Sequence, residues 1–111
     1  MVSLTKLPKV SFPSQMDVTP LPASSGGSMQ ATVGTTASQL SATSISAKSV
    51  TIKSDSNNTG NIYIGFDSSV SSANGFQLEP GGGVDISIDD LSKIWLIADA
   101  DNQKIYVIYV Y

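Results

Sequence analysis

The side chains that could ligate a hard metal are carboxylates. Asp85, Asp89 and Asp90 lie close together, and Asp99 and Asp101 alternate with Ala100 and Asn102. Oxygen ligands at alternate positions are how a calcium loop begins. The stretch DADNQK (99–104) nevertheless lacks the glycine at the sixth position and the closing glutamate, so its acids read as solvated turn residues. Paired carboxylates also serve glycoside hydrolysis, as acid and as nucleophile or base. Glu79 is the only glutamate, and it stands in a turn sequence. Histidine and cysteine are both absent, which removes the usual general base, thiolate nucleophiles, disulfides and structural zinc together. Gly81-Gly82-Gly83 has no following Lys-Ser/Thr and no following helix, so it reads as turn geometry and not as a phosphate loop. Asn57-Asn58-Thr59 matches a glycosylation sequon, and nothing else points to export. The residues therefore assign no catalytic group, no metal ligand and no cofactor, and the chain is expected not to be an enzyme.

The elements that would position any site come from a weakly charged chain. Charged residues make up 14% of it, against roughly 25% in an ordinary soluble protein. All six basic residues are lysines, and the net charge is −3. Phosphate recognition wants clustered cations and the bidentate fork of arginine, so no nucleic-acid partner is expected. No run approaches the ~18–20 apolar residues of a membrane span, so no membrane partner is expected either. The stretch MVSLTKLPKV lacks the continuous apolar core of a signal peptide. The expectation is a protein made and used without export.

Two regions follow different rules. Residues 1–40 are rich in Ser, Thr, Pro, Gly and Ala, with Lys6, Lys9 and Asp17 as the only charges. Pro8, Pro13, Pro20 and Pro22 disfavour a helix there, and SSGGS (24–28) has linker composition. Apolar residues are nonetheless spread through it, Leu4, Leu7, Val10 and Phe12 among them. The region reads either as a disordered leader or as an extended N-terminal arm that lies on a neighbouring subunit and orders on contact.

From residue 41 the pattern alternates with period 2, the mark of half-buried strands. Ile45 and Ala47, then Val50 and Ile52 on the opposite parity, place a bend near Lys48–Ser49. Ile62, Ile64 and Phe66 share a face, as do Phe76 and Leu78, and Val84, Ile86 and Ile88. SDSNNTG (54–60) and DSSVSSANG (67–75) are connections by composition. Glu79-Pro80-Gly81-Gly82 fits a type II turn. IWLIA (94–98) and KIYVIYVY (104–111) read as apolar strands joined through DADNQ (99–103) as a hairpin, and Trp95 as a core residue. Residues 41–111 are thus expected to form an antiparallel β-sandwich, or a jelly-roll-like open barrel, of six or seven short strands.

The last strand constrains the assembly. Ile105, Val107, Tyr109 and Tyr111 share one face, and Tyr106, Ile108 and Val110 the other. A strand apolar on both faces is an aggregation hazard at an exposed edge. It is expected to be central in a sheet or covered by another chain. A folded part of about 70 residues also gains stability from burying further apolar area against a partner. The interface candidates are Leu4, Leu7, Val10, Phe12, Trp95, Tyr106, Tyr109 and Tyr111.

Three stretches together resemble a known pattern. They are NNTGNIYIGF (57–66), the turn Leu78-Glu79-Pro80-Gly81, and the strand IWLIAD (94–99) before the final strand. Over about 45–111 the chain resembles small β-sandwich virion structural proteins of tailed bacteriophages. The resemblance implies a capsid decoration (cement) protein, partnered by the major capsid protein or neighbouring subunits and located in the virion after synthesis in the host cytoplasm. It also implies a homo-oligomer, with a trimer favoured, and no catalytic residues to transfer. A neck, tail or fibre component, acting as an adaptor or as a receptor- or carbohydrate-binding module, is the alternative.

Overall fold

The computed structural model describes residues 23–111. Eight strands account for the fold: β1 (Gly26–Val33), β2 (Ser38–Gln39), β3 (Ser49–Ser54), β4 (Ile62–Gly65), β5 (Phe76–Leu78), β6 (Gly83–Ile86), β7 (Trp95–Ala98) and β8 (Gln103–Val110). A 3-10 turn, Leu91–Lys93, precedes β7. Two four-stranded sheets result, sheet A in the order β1-β8-β3-β6 and sheet B in the order β2-β7-β4-β5. All pairings between these strands are antiparallel. The first strand pairs with the last, the second with the seventh, the third with the sixth and the fourth with the fifth. This is one long hairpin folded over on itself, which is the eight-stranded jelly roll.

Period-2 alternation makes each sheet two-faced. From sheet A, Val33, Val50, Ile52, Ile105 and Val107 turn inward, and from sheet B, Ile62, Ile64, Leu78, Leu96 and Ala98. Leu40, Leu91 and Ile94 from the connections complete the core, and Val84, Ile86 and Ile88 pack against it as their alternation requires. The expected type II turn is present. The Gly82 N–H donates to the Glu79 carbonyl at 2.8 Å, and Gly81 takes a φ of +84°.

Three expectations are corrected. The sandwich does not begin at residue 41, since β1 and β2 lie within 26–39, and the strand count is eight and not six or seven. The glycines of SSGGS are not a linker in the fold. They open β1, where a Cβ on Gly26 would stand 2.6 Å from the Tyr109 carbonyl oxygen, so close approach of the β8 backbone is what requires glycine. DADNQ is not a hairpin either, because β7 and β8 belong to different sheets. It is a corner between layers, with Asn102 at a φ of +61°. The corner is tied to other loops: Asp99 accepts from the Asn61 N–H at 2.9 Å, and Asp101 from the Thr35 N–H at 3.2 Å. Among the strand connections, only β4 to β5 stays within one sheet.

Candidate functional site

Several of the described carboxylates fasten turns and corners. Asp90 caps the 3-10 turn, accepting from the Ser92 N–H at 2.9 Å, the Ser92 hydroxyl at 2.8 Å, the Ile45 N–H at 3.2 Å and the Ser44 hydroxyl. Those donors, the Ser44 hydroxyl foremost, hold its carboxyl well below the usual carboxylate range. Asp85 accepts from Thr51 across the β3–β6 pair at 2.6 Å, and Asp89 pairs with Lys93 at 2.8 Å on an exposed surface. Among the described residues, no three His, Cys, Asp or Glu side chains converge as metal ligands would. Gln103, buried inside the fold, serves the same fastening purpose. Its Oε1 accepts from the Gly60 N–H at 2.8 Å, and its Nε2 donates to the Asp101 carbonyl at 2.7 Å and to the Thr59 hydroxyl at 3.2 Å.

What remains exposed and apolar falls in two places. The first is the outer face of sheet A. β8 is central there, as its composition demands, but only its Ile105 and Val107 side is buried. On the other side Tyr106, Ile108 and Val110 form an exposed strip, and Ile108 keeps 57% of its surface in contact with solvent. Registers place Ser28 and Thr51 beside Ile108, and Gln30 and Lys53 beside Tyr106. These residues line a groove of ≈ 740 Å³. Tyr106 is held in place: its hydroxyl donates to Asp55 at 2.9 Å, and the Lys104 ammonium lies 5.8 Å from its ring centre. The Asp55 carboxylate, by accepting that hydrogen bond, pushes the phenol above its ordinary range.

The second place is the β4–β5 tip. Phe66 and Phe76 continue the inward series of Ile64 and Leu78 but emerge beyond the core, 63% and 58% exposed. With Asp67, Ser69 and Asn74 they line a cleft of ≈ 370 Å³. The loop between them is braced by its own hydrogen bonds. Asp67 accepts from the Ser69 N–H at 2.9 Å, and Asn74 accepts from the Ser71 N–H at 2.8 Å and donates to the Ser69 carbonyl at 3.1 Å. Val70 at the loop's centre is buried, seated against Gly65, where an added Cβ would stand 2.6 Å from its Cγ2. Gly75 is pressed in the same way against Tyr63, whose ring is buried on the outer face of sheet B. Among the described residues, the β4–β5 loop thus covers part of the outer face of sheet B and nothing covers the strip on sheet A.

The interface candidates are divided by this geometry. Leu4, Leu7, Val10 and Phe12 lie outside the described residues. Tyr106 lies on the open face of sheet A, and Tyr111 is exposed just past the end of β8. Tyr109 turns inward and packs against the core, its ring stacked on that of Tyr111 at 6.2 Å. Trp95 is not a core residue: it faces outward on sheet B, half-buried, opposite Gly65. Sequence reasoning passed over Ile108, Val110, Phe66 and Phe76 as interface residues. The parity of β8 marks Ile108 and Val110 as sharing the Tyr106 face. No comparable signal separates Phe66 from the buried Ile64 two residues before it.

No protein-family model matches the chain, and the comparison with curated proteins returns no relative.

Proposed function

We propose that this chain is a structural protein of a bacteriophage particle, most consistent with a capsid decoration (cement) protein that binds the shell and stabilises it through subunit contacts. The observation that carries the reading is the open strip Tyr106, Ile108 and Val110 on the outer face of sheet A. Burial of apolar area contributes about 25 cal/mol per Å², so covering this strip at a subunit boundary would hold neighbours together and resist shell expansion. The eight-stranded jelly roll supports the reading, because it is an architecture that viral capsid domains use. That support is by analogy of fold, which hosts other roles as well.

The test is reconstitution. Particles lacking the protein are mixed with the purified chain, and occupancy and resistance to heat are measured. Saturable binding with later release of the genome is the expected result. Particles that neither take up the chain nor gain resistance contradict it. Deleting residues 1–22 is expected to weaken attachment while the sandwich stays folded.

A second reading is favoured by one observation, the exposed Phe66 and Phe76 around a braced polar loop. Loops on a rigid scaffold are common binding sites, and this pair suits a fibre or tail module that recognises a receptor glycan. Binding to a glycan array that is lost in Phe66→Ser and Phe76→Ser would favour it over decoration.

A further inference from the structure

We propose that residues 1–22 of one chain lie across the outer face of sheet A in a second copy, with apolar arm side chains set against Tyr106, Ile108 and Val110. The inference rests on the subunit reading above and adds to it the surface that receives the arm.

Four observations converge. The strip is apolar and open, whereas the outer face of sheet B is partly covered by the chain's own β4–β5 loop. The groove beside the strip is walled by Ser28, Gln30, Thr51 and Lys53, which gives room for the side chains of an extended segment. Residues 1–22 have matching chemistry: Leu4, Leu7, Val10, Phe12, Met16 and Val18 occur among only three charged side chains. The direction of the chain selects a second copy over the same one. Ser24 and Ser25 donate their N–H groups to the Tyr111 carbonyl at 2.7 and 2.9 Å, so the segment joins the fold at the Val110 end of the strip. Continuing β1 backwards leads off the sheet there, and falling back onto the same β8 would need an immediate reversal. Reach is ample: 22 extended residues span roughly 70 Å, and Tyr106 to Val110 spans about 13 Å.

The chain has no cysteine, so a benzophenone coupled to Val10→Cys marks one position. The labelled full chain is mixed with the cysteine-free full chain grown in heavy nitrogen and irradiated, and adducts are mapped by mass spectrometry. Adducts on the heavy copy at peptides containing Ser28, Thr51, Tyr106 or Ile108 are the expected result. They are expected to be lost when the heavy copy carries Ile108→Ser, with its thermal unfolding unchanged. Adducts confined to the light chain, adducts on sheet B, adducts indifferent to Ile108→Ser, or no adducts overturn the inference. Attachment to particles without these adducts defeats the inference alone. These adducts without attachment to particles defeat the decoration reading alone.

Discussion

At Asp90 two hydrogen bonds, from Ser44 and Ile45, join the segment before β3 to the turn before β7, and two from Ser92 hold the turn itself. The folded carboxyl is held below its ordinary value of 3.8, so its contribution is complete above that value and is lost as pH falls toward the folded one. Asp90→Asn is therefore expected to destabilise the sandwich at neutral pH and to flatten the acid limb of its stability profile below about pH 4, as read by circular dichroism in a pH series. An unchanged acid limb would assign that limb to other carboxylates. The role of the acids as turn residues was legible from their setting among Ser, Asn and Gly. The identity of the exposed hydrophobics was not. Alternation places Ile108 with Tyr106 on one face of a strand, but which face another layer covers depends on the packing of a second sheet.

Strands β3 to β8 were legible because each alternates apolar and polar residues or carries a β-branched and aromatic run. β1 was concealed by its composition. Met29, Ala31 and Val33 do alternate inward, but they follow glycine and serine that have the look of a linker. The corner at 99–103 was misread because turn residues look alike whether they join strands in one sheet or between two. The β4–β5 loop shows how an element can be both a connection and a cover. Its Val70 occupies the place a side chain at residue 65 would take. Gly65→Ala is expected to displace the loop and cost about 1–3 kcal/mol, the usual range for overpacking. Chemical denaturation checks the cost, and faster amide exchange at Tyr63 and Val70 checks the displacement.

For the whole molecule, stability and association are expected to separate between the two sides of sheet A. Ile52 is fully buried in the core, and Ile52→Ala is expected to cost about 2–5 kcal/mol in denaturant unfolding. Ile108 is exposed on the opposite side of the same sheet. Ile108→Ser is expected to change stability by no more than about 0.5 kcal/mol while reducing self-association in sedimentation velocity. Equal effects on both properties from both variants would mean that the strip is not a contact surface. A sandwich was legible from strand number and spacing. The jelly-roll order was not, because pairing Gly26–Val33 with Gln103–Val110 is a contact between distant segments that no local pattern announces. The central claim, that this fold acts through contacts on a phage shell, is tested most directly by an electron cryomicroscopy map of the particle. The account predicts eight-stranded sandwiches regularly placed on the shell, with Tyr106, Ile108 and Val110 covered by neighbouring density. A shell without such density, or sandwiches present with that strip facing solvent, would contradict it.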